Sequence, residues 1–256
     1  MLIRTWNLYH GNSSPPQRGA FFEEMIALAT ADEPDVLCLQ EVPAWALPRF
    51  TDGQLAARPI FGAAVGRALT ELDHGRLRSA FAGQGNAIQV SPRLKVLGRV
   101  WSPLNPRRFQ SAKGRELKLG LRTRLAWAKE RRVAHAVRLE ADDGRTLLVC
   151  NAHCTSSPDR RLPDAELLRA AWFASSAAET GDIVVLAGDF NVTTDESPTL
   201  RSLATPEWGF SPAGPGIDHI LVRGASATPE RAWPEADRTR EGAVLSDHAP
   251  VEVHVK

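Results

Sequence analysis

The chain has 256 residues, of which 43% are hydrophobic and 24% are charged, and its formal net charge at pH 7 is +1. This length fits one large α/β or sandwich domain, or two small ones, with enough apolar residues for a sizeable core. The near-zero net charge excludes a strong overall field that would attract nucleic acid or a membrane.

Short apolar runs rich in β-branched residues alternate with stretches of helical periodicity. The predicted elements, in chain order, are strand Leu2–Leu8, helix Arg18–Ala31, strands Asp35–Glu41, Ile60–Val65, Asn86–Val90, Val96–Trp101, Val133–Leu139 and Thr146–Ala152, helix Asp164–Glu179, and strands Ile183–Ala187, Ile217–Val222 and Pro250–Val255. The predicted buried stripe of the second helix is Ala165, Leu168, Ala171, Trp172 and Ala178. Many strands with few helices predict one domain over residues 1–256, with two packed sheets and outer helices.

The cysteines and the apolar segments indicate where in the cell the protein is expected. Cys38, Cys150 and Cys154 form no CxxC pair, which argues against a disulfide framework or a thiolate zinc site. Cys38 and Cys150 lie in apolar runs, where buried and inert thiols are expected. No signal-peptide pattern opens the sequence, and no segment approaches the roughly 18 apolar residues of a membrane-spanning helix. We expect a cytoplasmic protein without a membrane anchor, monomeric by default.

Polar side chains cluster where the predicted strands stop. These residues are Asn7, Glu41, His153, Asp189, Asn191, Asp218, His219, Asp247 and His248. If the strands are neighbours, their ends converge on one crevice, where several carboxylates would raise one another's pKa. A hard divalent cation offsets that repulsion, and carboxylate and amide oxygens suit Mg²⁺ or Mn²⁺ better than zinc.

Hydrolysis of a phosphodiester requires a metal that polarises phosphate oxygens, a base for water, donors for the developing charge and an acid for the leaving oxygen. The strand-end residues contain candidates for each of these tasks. The motifs WN, LQE, GNAI, NAH, GDFN, IDHI and SDHAPV occur in this order between Trp6 and Val251. In this order they resemble the endonuclease/exonuclease/phosphatase superfamily, which includes pancreatic-type deoxyribonuclease, abasic-site endonucleases, neutral sphingomyelinases and inositol polyphosphate 5-phosphatases.

The resemblance implies a four-layer α/β/β/α sandwich, with the site at one end of the two sheets. It implies that Asn7, Glu41 and Asp247 form the metal-binding group for Mg²⁺ or Mn²⁺. Asn86, in GNAI, matches a position near the substrate. We add Arg132, before a predicted strand, as a candidate for contact with a phosphate oxygen.

The catalytic roles implied by the resemblance fall on five residues. Asp189 corresponds to the aspartate that orients the nucleophilic water or serves the leaving group, and Asn191 would hold the phosphate and Asp189. His248 corresponds to the phosphate-contacting histidine, Asp218 to the carboxylate that orients it, and His153 to the second histidine of the site. Family members differ over the general base, so Asp189 and His248 both stay candidates.

Two histidines near these motifs are left without a catalytic role. His219 stands beside Asp218 where other family members have an aromatic residue, so the resemblance gives it no role. His10 follows the Asn7 segment, and two interpretations stay open: an approach to the site, or the favoured one, a loop histidine that is hydrogen-bonded to backbone.

The segment Arg93–Arg132 contains thirteen Lys or Arg residues and two acidic ones, with Trp101, Phe109 and Trp127 among them. It either tracks a phosphate backbone and stacks on bases, or forms a solvated face with its tryptophans in the core. The favoured function is a weakly specific nuclease that acts on DNA or RNA by in-line attack of water. The alternatives are a hydrolase of a small phosphorylated molecule or phospholipid head group and, more remotely, a non-enzymatic phosphate-binding protein.

Overall fold

The computed structural model describes residues 1–15, 21–57, 83–129 and 131–256. The strands in these ranges are β1 (Leu2–Asn7), β2 (Ser13–Ser14), β3 (Val36–Pro43), β4 (Asp52–Ala57), β5 (Gln84–Val90), β6 (Lys95–Pro103), β7 (Val133–Glu140), β8 (Thr146–His153), β9 (Ile183–Asp189), β10 (Asp218–Arg223), β11 (Arg231–Ala232), β12 (Thr239–Arg240), β13 (Ala243–Leu245) and β14 (Val251–His254). The α-helices are α1 (Phe22–Thr30), α2 (Arg107–Glu116), α3 (Leu121–Lys129), α4 (Arg161–Ala177) and α5 (Pro198–Leu203). None of the helices in these ranges is long and apolar enough to cross a lipid bilayer.

The strands form two large mixed sheets and one small sheet. The first sheet has the order β11-β14-β1-β3-β5-β4, the second has the order β10-β9-β8-β7-β6, and the small one has the order β12-β13-β2. Within the first sheet β1 and β3 are parallel, and within the second sheet β8 and β9 are parallel; the remaining pairs are antiparallel.

Side-chain alternation along the strands builds the layers. On β3, Cys38 packs into the cluster between the two large sheets, whereas Leu37 and Leu39 pack with α1 on the outer face of the first sheet. On β8, Val149 faces the inter-sheet core and Leu148 faces the layer of α4. The order is therefore helix, sheet, sheet, helix, which confirms the predicted four-layer α/β/β/α fold.

The three cysteines are free and buried, as predicted for Cys38 and Cys150. Burial raises the pKa of the Cys38 thiol to about 12, so it stays protonated and unreactive at neutral pH.

Several predicted elements differ from the structure. The predicted strand Ile60–Val65 lies outside the described residues, as does the start of the predicted helix Arg18–Ala31. The helix predicted from Asp164 already begins at Arg161, and its stripe was wrong at Trp172, which is 60% exposed. The strand β4 and the helices α2, α3 and α5 were not predicted.

Candidate active site

The carboxyl ends of the parallel strands meet at one end of the two large sheets. In the first sheet Asn7, the last residue of β1, lies opposite Gln40 of β3. In the second sheet His153 of β8 lies opposite Asp189 of β9, and antiparallel β10 begins with Asp218 opposite the same Asp189. The register of both sheets therefore brings these polar side chains to a single crevice.

Asp189 is the most crowded carboxylate of the crevice, with 1% of its surface exposed. Its Oδ2 accepts a hydrogen bond of 2.9 Å from Asn7 Nδ2, and its Oδ1 accepts one of 2.9 Å from the backbone N–H of Asn191. Asn191 has a left-handed backbone (φ 55°), and its side-chain amide donates to the carbonyl of Cys154. Burial, and then repulsion from Asp218, raise the pKa of the Asp189 carboxyl to about 7.

His248 and Asp218 form an oriented pair. His248 Nδ1 lies 2.7 Å from Asp218 Oδ2. Burial alone would lower the pKa of His248, but the hydrogen bond to Asp218 and the surrounding carboxylates raise it to about 10. The backbone at His248 is also fixed, because its carbonyl accepts from Trp6 Nε1 and its N–H donates to Ser246 Oγ.

Glu41 lies where β3 departs from regular register, with a positive φ of 52°. Its Oε2 is 3.0 Å from His10 Nε2, and its Oε1 is 3.9 Å from His153 Nε2. Burial favours the neutral acid, yet His10, His153 and Arg132 together hold the pKa of Glu41 well below its usual range. The expectation that His10 only bonds backbone was therefore wrong. The Gly11 that follows His10 is typical of a left-handed turn. Nothing in the sequence indicated that this turn would direct the His10 side chain toward Glu41.

Arg132 and Asn86 lie on the His153 side of the crevice. Arg132 Nη1 is 3.0 Å from His153 Nδ1, and Asn86 Nδ2 donates to the carbonyl of Val133 at 3.1 Å. With Gln84 they line a narrow open cavity. Burial, and then the charge of Arg132, lower the pKa of His153 well below its usual value, so this imidazole is neutral at pH 7.

His219, the histidine without an assigned role, turns away from the crevice. It is fully buried, with Nε2 3.2 Å from the carbonyl of Val192 and Nδ1 3.3 Å from Glu230. These buried contacts indicate that His219 stabilises the fold.

The composition of the crevice fits a hard divalent cation. Asp247 is the most open member, with a side chain 46% exposed, and burial and then Glu41 and Asp218 raise its pKa. Asp218 Oδ1 is buried without a hydrogen-bond partner among the described residues. Asp189, Asp218 and His248 each offer a ligand atom within 4.8 Å of the others, a set that shares no member with the predicted metal group Asn7, Glu41 and Asp247. The crevice thus combines carboxylates that repel one another with a carboxylate oxygen that lacks a hydrogen-bond partner among the described residues. Oxygen ligands of this kind are those that magnesium and manganese prefer.

A model of the Endonuclease/Exonuclease/phosphatase family matches residues 5–248, and the chain belongs to this family. Members of this family are phosphoesterase hydrolases. A search of curated protein sequences finds no match.

Solved structures share the fold at low sequence identity. A conserved protein of unknown function from Enterococcus faecalis V583 is 17% identical with a TM-score of 0.67, and the match covers 100% of this chain and 99% of the other. Humanized D. rerio TDP2 is 15% identical with a TM-score of 0.60, covering 100% and 98%. The mannosyl-6-phosphatase Bt3783 of Bacteroides thetaiotaomicron VPI-5482 is 15% identical with a TM-score of 0.61, covering 100% and 99%.

Proposed function

We propose that the protein is a Mg²⁺- or Mn²⁺-dependent phosphodiesterase that cleaves DNA or RNA with little sequence specificity, by in-line attack of water. The observation that carries this proposal is the pairing of Asp189 with His248. Asp189 Oδ2 lies 3.9 Å from His248 Nε2. Between them they offer a carboxyl whose pKa is about 7 and an imidazole whose pKa is about 10. A proton acceptor and a cationic donor thus face each other across one gap.

Asp189 is the proposed base for the attacking water. A carboxyl whose pKa lies near neutral pH accepts a proton and later returns it efficiently. Asn7 and Asn191 hold its two oxygens from opposite sides, so its orientation is fixed before substrate arrives. His248 is a poor base, since it stays protonated until about pH 10.

His248 is the proposed donor to a non-bridging phosphoryl oxygen. Asp218 holds Nδ1, so Nε2–H is the free donor on the crevice side. His153 and Arg132 extend the set of donors toward the cavity, where Asn86 would contact substrate. Preorganised donors of this kind stabilise charge that develops on phosphorus.

Glu41 and Asp247 are the residues that would hold the cation, together with the Asn7 side-chain oxygen. When bound, Mg²⁺ would supply Lewis acidity toward a phosphate oxygen. The Asn7 amide already bonds Asp189 through Nδ2 and the backbone N–H of Tyr9 through Oδ1. Asn7 therefore also positions Asp189, a role that the resemblance did not assign.

A second candidate is a phosphatase of a small sugar phosphate. It is favoured by the match of fold to a mannosyl-6-phosphatase. It differs from the first proposal in needing a phosphomonoester.

The test compares four substrates with Mg²⁺, with Mn²⁺ and with EDTA. These are bis-p-nitrophenyl phosphate, plasmid DNA, a structured RNA and mannose 6-phosphate. We expect the diester and polymer substrates to be hydrolysed with metal and not with EDTA. Asp189→Asn and His248→Gln should each lower kcat by about 10²–10³-fold, as for loss of one preorganised group.

Matched controls are Asp142→Asn and His254→Gln. Both residues are exposed and lie at the far ends of the strands from the crevice. We expect both controls to keep wild-type rates. Turnover of mannose 6-phosphate alone would replace the first proposal by the second, and undiminished hydrolysis in EDTA would contradict both.

A further inference from the structure

The helices α2 and α3 form a hairpin between β6 and β7 whose base lies beside the crevice. The backbone N–H of Leu104 donates to the carbonyl of Arg132 at 2.8 Å, and Asn105 Oδ1 accepts from the N–H of Arg132 at 2.9 Å. Arg132 in turn contacts His153. The hairpin therefore leaves and re-enters the fold next to the candidate catalytic histidine.

The two helices run antiparallel. Gln110 Nε2 donates to the carbonyl of Trp127 at 2.8 Å, and a Cβ built on Gly114 would lie 3.1 Å from Arg124 Nε. This alignment pairs the first turn of α2 with the last turn of α3, so both turns lie at the base of the hairpin.

The aromatic residues of the hairpin face inward. Trp127 is 1% exposed, and its indole N–H donates to the buried carboxylate of Glu166 at 2.6 Å. The Phe109 ring packs edge-on against it at 5.8 Å. These two rings hold the hairpin on α4 and cannot stack on bases.

Four exposed basic residues lie at the base, and we call them the rim set: Arg107, Arg108, Lys129 and Arg131. None of the four has an ion pair or a side-chain hydrogen bond within the described ranges. Some exposed basic residues elsewhere are ion-paired, as in Lys95 with Glu140 and Arg145 with Asp143. Arg115, Lys118 and Arg122 of the hairpin have no ion pair within the described ranges either, so what distinguishes the rim set is its place beside the crevice.

We propose that the rim set binds the phosphodiester backbone of a nucleic acid strand as it leaves the crevice. This inference rests on the proposed function and names a polyanion as the substrate class. A strand whose scissile phosphate lies at His248 and Asp189 would continue past Arg132 to four unneutralised cations. Such contacts give affinity without sequence preference, because they neutralise phosphates and release counterions.

An anionic lipid surface is the competing partner for a basic hairpin. It would use Leu121 and Leu125, which are 72% and 57% exposed. Leu121 opens α3, whereas Lys129 closes it, so these apolar residues lie toward the tip and the rim set lies at the base. Exposed Arg115, Lys118 and Arg122 lie toward the tip with these leucines, so a lipid surface would use the tip. The rim set lies instead beside the crevice, and this position favours nucleic acid.

The test uses the full chain with all four rim residues changed to Gln. Its matched control changes Arg99, Arg201, Arg240 and Lys256 to Gln, which removes the same charge from exposed positions outside the hairpin that also have no ion pair within the described ranges. Binding of a labelled 20-nucleotide single strand, as DNA and as RNA, is followed by fluorescence anisotropy in EDTA between 50 and 200 mM salt. Anionic lipid vesicles form a separate arm.

We expect the slope of log K against log salt to become shallower by about 3 in the rim variant, at roughly 0.7 per lost phosphate contact on a single strand. The control should keep the wild-type slope, and both variants should hydrolyse bis-p-nitrophenyl phosphate at the wild-type rate. Equal slopes in the rim and control variants would overturn the inference, as would rim-dependent binding to vesicles alone. If wild type cleaves no phosphate ester, the proposed function fails, whereas the binding slopes still decide this inference.

Discussion

Glu166 connects the hairpin to the crevice through hydrogen bonds. Its replacement tests how much these hydrogen bonds stabilise the fold around the site. The side chain is fully buried and accepts four hydrogen bonds: from Trp127 Nε1 at 2.6 Å, Asn105 Nδ2 at 2.8 Å, Thr155 N–H at 2.6 Å and Thr155 Oγ1 at 2.9 Å. Asn105 fixes the backbone of Arg132, and Thr155 lies two residues after His153. Every one of these partners is a donor.

Glu166→Gln therefore keeps the shape of the side chain but removes one hydrogen-bond acceptor from a site where all partners are donors. The amide oxygen can replace Oε1, which accepts three of the bonds, but the NH₂ group then points at the N–H of Thr155. Loss of one charge-assisted bond costs about 1.5–3 kcal/mol, and a buried donor left unsatisfied costs about 1–3 kcal/mol. Since these terms overlap, we expect the free energy of unfolding to fall by about 2–4 kcal/mol.

Urea denaturation at pH 7 measures this change. Burial raises the pKa of Glu166, while the hydrogen bonds from Trp127 and Thr155 and the charge of Arg132 offset part of that rise. The control Glu207→Gln, at an exposed position, should change the free energy of unfolding by less than about 0.5 kcal/mol. An equally small change for Glu166→Gln would refute the reasoning.

Three further predictions follow from the other charged groups. Glu252 accepts from the fully buried Arg4, and hydrogen bonds outweigh burial to hold the pKa of Glu252 below its ordinary value of 4.5. This stability is present above pH 4.5 and is lost as pH falls through the folded pKa, so Glu252→Gln should cost about 3 kcal/mol at pH 7 in urea denaturation, and less in acid. Asp218→Asn should lower the pKa of His248 by about 1–3 units, followed by NMR titration of the imidazole, and an unchanged pKa would contradict their pairing. Glu41→Gln should weaken Mg²⁺ binding at least about tenfold by calorimetry, and wild-type affinity in the variant would exclude Glu41 as a ligand.

The sequence predicted best where periodicity and burial agree. The alternating run that ends in Glu41 specified both faces of β3, because Leu37 and Cys38 had to face different apolar layers. Strand ends predicted which polar side chains lie together, because the ends of neighbouring strands meet at one edge of a sheet. The predicted residues Asn7 and Asp189 indeed lie within hydrogen-bond distance although 182 positions separate them.

Features that depend on contacts between distant segments of the chain were not predicted. The sequence of α2 has few apolar residues, and its burial depends on Trp127 meeting Glu166, which a local pattern does not reveal. Trp172 fits a helical stripe but packs edge-on with Trp208 at the surface. His10 reaches Glu41 only because its left-handed backbone turns it inward. Each of these contacts joins distant segments, so periodicity could not specify it.

The two histidines of the crevice differ in charge because their neighbours differ. Both are largely buried, which by itself lowers the pKa of an imidazole. His153 faces the guanidinium of Arg132, which lowers the pKa further, whereas His248 faces the carboxylate of Asp218, which reverses the effect of burial. One imidazole is therefore neutral and the other cationic at pH 7. A phosphate that enters this crevice meets a fixed positive charge on the side of Asp218 and a neutral ring backed by an arginine on the other. Under the proposed in-line attack, the water and the leaving oxygen would lie in different surroundings.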